Sequence, residues 1–436
     1  MTETIAAVAS AAGAAGVAII RVSGAQAKEV LATVAGGVPP PRQAIVRRLR
    51  DPGTDEVLDR GVVLFFPGPA SFTGEDVCEF QVHGGRAVVA AVLSAILSVE
   101  GVRLARAGEF THRAFRNGKM DLVEAEGLAD LIAAETEAQR RQALRQMEGE
   151  ASAVYAAWRE GLLDAAALLE AAIDFPDEDM PDGLFAGARA GLVALSASME
   201  AMARDADRGS RVRDGLTVVI LGPPNAGKSS LINALARREV AIVSSMPGTT
   251  RDLVETRLIL SGLPVWIADT AGLRETEDGI EAEGIRRARA RAGNADIRVW
   301  VEPPEGLGHL AADLREDDIV FRNKIDLDCG QRPPLSGALT ICGSAAHGEG
   351  VARLEAGLAQ RVEALTAGGG VVMTRARHRE AVEGALEAVR RALSAPLVEA
   401  AAEDVRRAVG QLEELIGRLG VDDIYDRVFS RFCIGK

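Results

Sequence analysis

The sequence predicts a multidomain chain: an α+β domain at the N-terminus, followed by a discontinuous α-helical domain into which an α/β domain is inserted. Strand and helix patterns alternate as far as about Lys119, and helical 3.6-residue spacing dominates on both sides of a central region. That central region alternates β-branched strands with helical stretches. A chain of 436 residues is too long for one core. The predicted domains are 1–119, 120–213 with 371–436, and the inserted 214–370.

Composition narrows the class of protein. Hydrophobic residues make up 47% of the chain and aromatic residues 4%, so Ala, Leu, Val and Ile must pack the cores. A net charge of -13 argues against binding nucleic acid through the whole surface, so any RNA contact must be local. Scattered cysteines without metal spacing favour reduced thiols and a cytoplasmic protein. They are Cys78, Cys329, Cys342 and Cys433.

The N-terminal domain begins with the apolar stretch Ile5 to Ile20, which is long enough to imitate the core of a signal peptide. Glu3 precedes it and no Lys or Arg comes before Arg21, so we predict a strand instead. No other run approaches membrane-spanning length. Further predicted strands are 17–22, 60–66 and 76–82, and predicted helices are 26–34 and 86–99.

Polar residues of this domain carry little signal by themselves. His83 follows a strand and is more typical of a capped loop histidine than of a catalytic one. Arg21, Glu79 and Lys119 stand at strand ends or in a loop, which is typical of solvated surface.

The helical parts show apolar residues on one face. The segment 174–183 interrupts the first part with two prolines among carboxylates, which favours a turn over a metal site. Because the second part needs a partner helix, we predict that both parts form one domain, with Gly368 to Gly370 as a hinge. The face residues are Leu122, Ala125, Leu128, Ala129, Leu131 and Ile132, then Val405, Ala408, Leu412, Leu415, Ile416 and Leu419.

Two basic clusters, at 286–291 and 375–379, have two interpretations. Either cluster can meet RNA phosphates, but interspersed Glu and Ala favour a solvated helix face.

The inserted domain contains the stretch 222–229, which matches G-x-x-x-x-G-K-[ST] between a predicted strand at 216–221 and a helix at 230–235. This is the context of a phosphate-binding loop. Lys228 can reach the β and γ oxygens of a nucleotide, and the Ser229 hydroxyl can hold Mg²⁺.

Three later motifs select the base. Asp269 to Gly272 follow the strand 265–268, Asn323 to Asp326 follow 318–321, and Ser344-Ala345 follow 338–341. The Asp326 carboxylate can accept from N1–H and the exocyclic amine of guanine, whereas adenine would leave it unpaired. A backbone N–H at Ser344-Ala345 can meet guanine O6. Four motifs in this order predict GTP rather than ATP.

The motif order GPPNAGKS, PGTTRD, DTAG, NKID and SA resembles the Ras-like GTPases, and here Leu273 stands where Ras has a glutamine. Gly248 to Asp252 (GTTRD) and Phe432 to Lys436 (FCIGK) are similar to the tRNA-modification GTPase MnmE (TrmE) family over essentially the whole chain. The resemblance implies a Ras-like α/β P-loop G domain whose GTP hydrolysis drives modification at C5 of the wobble uridine of certain tRNAs. It further implies a homodimer through the N-terminal domains and a heterotetramer with a flavin- and NADH-dependent partner protein.

The same resemblance implies roles in the GTPase site. A K⁺ ion lies against Asn225, Thr249 and the carbonyls of Ser244 and Met246, while Ser229 and Thr250 hold Mg²⁺. Glu281 polarises the attacking water, with Glu283 a competitor for that role. Lys228, Arg251 and Arg274 complete the catalytic set, and the two arginines stabilise the switch segments. The full GTP-binding set is Asn225, Ala226, Gly227, Lys228, Ser229, Ser230, Ser244, Ser245, Met246, Pro247, Gly248, Thr249, Thr250, Asp269, Thr270, Ala271, Gly272, Asn323, Lys324, Asp326, Ser344 and Ala345.

For the N-terminal domain the resemblance implies a site for 5-formyltetrahydrofolate, the one-carbon donor. Arg21, Glu79, Lys119 and the terminal Lys436 match the family's folate-binding motifs. A carboxylate suits the pterin N–H edge, and cations suit the glutamate tail. Cys433 is either a thiol facing this cavity or a buried inert cysteine.

A GTP-switched assembly factor, such as a ribosome-maturation GTPase, is the alternative, although the N-terminal domain and FCIGK favour tRNA modification. Two departures from the family's pattern, at 302–306 and at Arg322, put the rigidity of the guanine loop in doubt.

Overall fold

A computed structural model describes residues 3–11, 13–174, 183–237, 255–269, 293, 295–327, 337–368, 373–417, 428–429, 432 and 435. The chain divides into two compact units. Unit 1 contains residues 1–129, 146–188 and 395–436, and unit 2 contains 130–145 and 189–394. The helical segments are therefore divided between the units, and the predicted three-domain bounds stay a prediction.

Unit 1 contains a six-stranded sheet in the order β3-β4-β5-β2-β1-β6, antiparallel except for the parallel pair of β1 with β6. Apolar residues that alternate along β2, β4 and β5 form the core with α1 and α2. The strands are β1 (Thr4–Val8), β2 (Ala15–Ser23), β3 (Ile45–Arg50), β4 (Val57–Phe66), β5 (Val77–Gly84) and β6 (Val102–Leu104), and the first helices are α1 (Ala27–Ala35), α2 (Arg86–Leu97) and α3 (Glu109–Arg116).

The stretch Ile5 to Ile20 differs from the prediction of one strand. It forms the antiparallel strands β1 and β2. The apolar pattern hides the turn, where Gly13 adopts a φ of 134° and the Ser10 hydroxyl accepts the Ile19 N–H at 3.2 Å.

The helices of unit 1 place two long elements side by side. The helix α6 (Glu150–Asp174) packs on α12 (Val398–Ile416), and Arg159 bonds Glu413 between them. The predicted face of α12 is buried from Val405 to Ile416, and Phe429 and Phe432 pack beside Leu122. The remaining described helices before the inserted domain are α4 (Leu122–Ala133), α5 (Glu137–Met147), α7 (Gly183–Arg204) and α8 (Ala206–Asp214). The predicted interruption at 174–183 stays a prediction.

Unit 2 contains a second six-stranded sheet, ordered β12-β11-β10-β7-β9-β8 and parallel except for the pair β8 with β9. Near-continuous apolar strands are expected of a parallel sheet covered on both faces, and β10 is buried throughout. Its elements are β7 (Leu216–Leu221), α9 (Lys228–Ala236), β8 (Glu255–Leu260), β9 (Leu263–Asp269), β10 (Ile297–Glu302), β11 (Ile319–Arg322), β12 (Leu339–Cys342), α10 (Val351–Thr366) and α11 (Ala376–Ser394).

The basic cluster at 375–379 is held by carboxylates of unit 2. Arg375 pairs with Asp130 at 2.7 Å, Arg379 pairs with Asp207, and His378 is buried. These ion pairs favour a structural role over RNA binding. The cluster at 286–291 and the acidic turn at 175–182 lie outside the described residues. Among the helices that the structure describes, none has the length and apolar character to cross a membrane.

Candidate functional site

The phosphate-binding loop joins β7 to α9 through backbone conformations that its glycines permit. Gly222 and Gly227 have φ values of 144° and 95°, and Asn225 adopts 58°. A Cβ at Gly222 would lie 2.5 Å from the Val301 carbonyl oxygen, so the loop sits against β10. Inside it, Lys228 Nζ donates to the carbonyls of Gly222 at 2.9 Å and of Pro223 at 2.8 Å. The ammonium group therefore lies within the loop, while Ser229 and Ser230 are exposed in the first turn of α9.

Strand register brings the second motif to this loop. Asp269, at the end of β9, is the register partner of Ile220 in β7. Since the carboxyl ends of parallel strands meet at one edge, Asp269, the first residue of the motif, lies at the sheet edge that carries the phosphate-binding loop.

Asn323 connects three of the predicted motifs. Its Nδ2 donates to the Ala226 carbonyl at 2.8 Å, its Oδ1 accepts the Ala345 N–H at 2.9 Å, and its own N–H donates to the Glu302 carbonyl at 2.8 Å. A Cβ at Gly227 would lie 2.2 Å from Asn323 Nδ2. The sequence placed Asn323 in the guanine loop, but its bracing role depends on contacts that are remote in the chain.

The backbone donors expected for guanine O6 already have acceptors. The Ser344 N–H donates to the Glu349 carbonyl at 3.0 Å, and the Ala345 N–H donates to Asn323. The expectation needs correction in this respect, because O6 can use the Ala345 N–H only by sharing it with Asn323.

Asp326 is an ionised carboxylate that can accept hydrogen bonds. A hydrogen bond from the Ser344 side chain lowers the pKa of Asp326 below its ordinary value, so the group is ionised at neutral pH. His347, which the sequence analysis did not single out, places Nδ1 at 3.0 Å from Ser344 Oγ and 3.9 Å from Asp326 Oδ1. Nearby, Lys324 Nζ donates to the Asn225 carbonyl at 2.7 Å and so ties the guanine loop to the phosphate loop.

A cavity of about 450 Å³ lies between α9 and the loop after β12. Its lining includes Ser230, Asn233, Arg237, Ala345 and His347. It therefore lies next to both the phosphate loop and the guanine-selective loop.

Arg322, which departs from the family pattern, strengthens this region rather than loosening it. It forms a 2.7 Å ion pair with Glu302, and the two side chains are 13% and 6% exposed. They are register partners on β11 and β10, and the Glu302 carbonyl also accepts the Asn323 N–H. The departure at Arg322 therefore adds an ion pair next to the guanine loop.

In unit 1, Arg21 and Glu79 form a pair that the sequence did not indicate. They are register partners on β2 and β5, and Arg21 Nε and Nη2 lie 3.0 and 2.9 Å from Glu79 Oε1. Their side chains are 20% and 15% exposed, so the expectation of solvated surface was wrong. The guanidinium also lies over the rings of Phe72 and Phe110, at 5.7 and 5.9 Å.

Lys119 and Gly435 each contact another segment of unit 1. Lys119 Nζ donates to the Pro69 carbonyl at 3.0 Å, in the same loop as Phe72. Gly435 has a φ of 98°, and a Cβ there would lie 2.2 Å from the Val8 carbonyl, one residue from Ala7, the register partner of Arg21. His83 is exposed, and its Nδ1 lies 2.7 Å from Asp59 Oδ1. This arrangement is in keeping with a loop histidine that has no catalytic role.

Other predicted site residues lie outside the described part of the chain, as does the side chain of Asp269. Within the described ranges, no group of three or more His, Cys, Asp or Glu can hold a metal ion. The predicted residues outside are Ser244, Ser245, Met246, Pro247, Gly248, Thr249, Thr250, Arg251, Thr270, Ala271, Gly272, Leu273, Arg274, Glu281, Glu283, Cys433 and Lys436.

A phosphate-binding loop and a guanine-selective carboxylate at the edge of a parallel sheet define a P-loop GTPase domain within a multidomain chain. Comparison with known proteins supports this class. The family model described as "MnmE helical domain" matches residues 122–433, and that described as "GTP-binding protein TrmE N-terminus" matches 4–119.

Three curated relatives carry the description "tRNA modification GTPase MnmE". They come from Parvibaculum lavamentivorans (51% identical), Maricaulis maris (53%) and Caulobacter vibrioides (50%), and each match covers 100% of both chains. The G domain of the T. maritima FeoB iron transporter aligns with 34% of this chain and 98% of its own, at 23% identity and a TM-score of 0.26, which is too low to carry an argument. The chain belongs to the MnmE family of tRNA modification GTPases.

Proposed function

We propose that this GTPase uses its nucleotide cycle to drive modification at C5 of the wobble uridine of certain tRNAs, of the carboxymethylaminomethyl or aminomethyl type. One observation carries the proposal: the chain holds a braced guanine-nucleotide site in unit 2 and a separate half-buried Arg21–Glu79 pair in unit 1. A GTP-switched assembly factor needs only the guanine-nucleotide site. An enzyme that transfers a one-carbon unit needs a second site for the one-carbon donor.

In the GTPase site, Lys228 and the loop N–H groups bind the phosphates, and Asp326 reads the guanine edge. Asn323 positions the phosphate loop and the Ser344-Ala345 loop through the two hydrogen bonds of its side-chain amide. The donor set fits Mg²⁺, which prefers oxygen ligands, because the Ser229 hydroxyl is exposed at the start of α9 beside the loop. Thr250 is the second proposed ligand, and bound Mg²⁺ would offset charge on the phosphates.

Hydrolysis needs a further source of positive charge, since Leu273 replaces the water-orienting glutamine. We assign this role to K⁺, held by Asn225, the carbonyls of Ser244 and Met246, and Thr249. Asn225 supports the assignment: it is exposed at the loop, and the bond from Lys324 to its carbonyl fixes its backbone. Glu281 is proposed to polarise the water, with Arg251 and Arg274 stabilising the surrounding segments.

The K⁺ assignment is tested by single-turnover hydrolysis in K⁺ and in Na⁺. We expect a large loss of rate in Na⁺ with nearly unchanged GTP binding, because the ion acts on charge that develops in the transition state. An Asn225→Ala variant that still responds to K⁺ would rule this site out.

The second site is proposed to bind 5-formyltetrahydrofolate. Glu79 Oε1 accepts both bonds from Arg21, which leaves Oε2 to accept from the pterin N–H edge. Phe72 and Phe110 flank the guanidinium, and Lys119 supplies a cation for the glutamate tail. Lys436 is proposed as the second cation. The residue before it, Gly435, lies against Val8 at the end of β1, and β1 pairs with β2, the strand that carries Arg21.

The proposed assembly is a homodimer through the N-terminal domains that joins a flavin- and NADH-dependent partner protein. The proposed residues of this chain bind GTP and folate and hydrolyse GTP. A redox step needs a flavin or nicotinamide cofactor, which the partner protein would supply. Mass spectrometry of tRNA nucleosides from a deletion strain tests the proposal. We expect wobble uridines without the modification, restored by the intact gene, whereas unaltered nucleosides in the deletion strain would refute it.

A further inference from the structure

A cluster of four arginines lies at the edge of the unit 1 sheet, and of the four only Arg50 pairs with a described carboxylate, that of Asp55. Arg47, Arg48 and Arg50 lie on the edge strand β3, and Arg60 lies on β4. The guanidinium groups of Arg47, Arg48 and Arg60 bond no described residue, and Arg47 Nε is buried. In a chain with net charge -13, this concentration of unpaired positive charge requires an explanation.

The strand register makes the cluster unfavourable by itself. Arg48 and Arg60 are direct register partners, and like charges opposite each other destabilise a sheet. The neighbouring carboxylates leave three of the arginines unneutralised: Asp51 accepts the N–H groups of Gly53 and Thr54, and Asp55 pairs with Arg50. Asp59 is bound by His83. An anion that bridges the arginines would remove the repulsion.

The surface beside the cluster has room for such an anion. A cavity of about 440 Å³ lies between the end of α1 and the β3–β4 hairpin, and its charged lining consists of three arginines, Arg47, Arg48 and Arg50, and two carboxylates, Asp51 and Asp55. Charge on an edge strand also discourages pairing between sheets. That purpose does not account for Arg47, whose Nε is buried, or for Arg60, which lies one strand inside the edge.

We infer that this arginine edge, defined as Arg47, Arg48, Arg50 and Arg60, binds backbone phosphates of tRNA. The inference rests on the proposed function, which supplies tRNA as the substrate. Guanidinium groups suit phosphate because their planar donors bond two oxygens at once. Arg48 and Arg60 share one face as register partners, and Arg47 lies on the other face of the edge strand, so the edge can contact more than one phosphate. The acidic remainder of the chain confines RNA to local contacts.

The test measures binding of an unmodified tRNA transcript to the full chain by fluorescence anisotropy, over KCl concentrations of about 50 to 200 mM. Arg47→Ala with Arg48→Ala should weaken binding roughly tenfold at the lowest salt and reduce the slope of log K against log[KCl] by about 2. Arg47→Lys with Arg48→Lys should keep most of the slope while losing part of the affinity.

The matched control is Arg140→Ala with Arg141→Ala, which removes two adjacent exposed arginines that pair with Glu137 in unit 2. Unchanged circular dichroism and thermal unfolding of the full chain show that every variant is folded, because GTP hydrolysis reports on unit 2 alone. Equal weakening by the control pair, or a changed oligomeric state with unchanged tRNA affinity, would overturn the inference and assign the edge to protein contacts. If the unaltered chain binds no tRNA, the proposed function loses its substrate as well; if it binds tRNA and the variant binds equally tightly, only the arginine edge is refuted.

Discussion

The guanine loop of unit 2 and the Arg21–Glu79 pair of unit 1 are held by different kinds of contact. In unit 2 a neutral amide, Asn323, joins loops at the carboxyl ends of parallel strands. In unit 1 two charged groups, Arg21 and Glu79, neutralise each other on neighbouring antiparallel strands. Loss of the amide leaves peptide groups unpaired, whereas loss of one charged partner leaves the other half-buried without compensation.

The difference predicts which changes each site tolerates. The nucleotide loop is shaped by backbone conformation, so single side chains there can be removed with the loop intact. The proposed folate site in unit 1 depends on the Arg21–Glu79 charge pair, so even an isosteric neutral substitution should disturb it. The following changes test this contrast.

Lys228→Ala should have the largest effect. The side chain donates to two loop carbonyls in the absence of nucleotide and is proposed to contact phosphate oxygens when GTP is bound. We expect GTP hydrolysis to fall by a factor on the order of 10² to 10³, measured under single turnover. Lys28→Ala removes a lysine from unit 1 and should leave hydrolysis unchanged. A Lys228→Ala rate within threefold of the unaltered chain would contradict the assignment.

Asp326→Asn should exchange the base preference. The amide can donate to the 2-oxo group of xanthine, whereas two guanine donors would lose a charged acceptor. We expect GTP affinity to fall about 100-fold, or about 2.7 kcal/mol, and XTP affinity to rise. Because the pKa of Asp326 is lowered, GTP affinity should stay constant from pH 8 down to its ordinary titration range and weaken only in stronger acid. Titration of both nucleotides checks the exchange, and unchanged GTP affinity would refute it.

Glu79→Gln should weaken 5-formyltetrahydrofolate binding about tenfold, or roughly 1.4 kcal/mol, while GTP hydrolysis is unchanged. The substitution keeps the shape but leaves Arg21 without a charged partner. Calorimetry with the folate is the measurement, and Glu29→Gln, on the exposed side of α1, is the control. If both variants bind the folate equally, the pocket has been misassigned.

Deletion of Gly435 and Lys436 should have the smallest effect. One ion pair between a lysine and a folate carboxylate is worth up to about 1 kcal/mol at a solvated site, so we expect folate binding to weaken about fivefold. GTP hydrolysis should not change. Folate affinity equal to that of the full chain would show that the terminal lysine does not contribute.

The sequence predicted the nucleotide site well because its signals are contiguous. The strand before the phosphate loop has the predicted bounds, 216 to 221, and the motifs follow strands as expected. The hydrogen bonds of the Asn323 side chain could not be predicted from the sequence, because they join residues that are 97 and 22 positions apart in the chain.

Unit 1 was harder to predict because its contacts are not local. Arg21 and Glu79 are 58 positions apart, so only register brings them together. The edge strand β3 was missed because arginines interrupt its apolar alternation. β6 is three residues long and gives no periodic signal.

The central claim is that two separate sites serve one tRNA product. Nucleoside mass spectrometry on a deletion strain complemented with the unaltered gene, Lys228→Ala or Glu79→Gln tests it most directly. We predict that Lys228→Ala leaves wobble uridines unmodified and that Glu79→Gln lowers the modified fraction, although purified Glu79→Gln protein hydrolyses GTP at the normal rate. Fully modified wobble uridines in the Glu79→Gln strain would contradict the account.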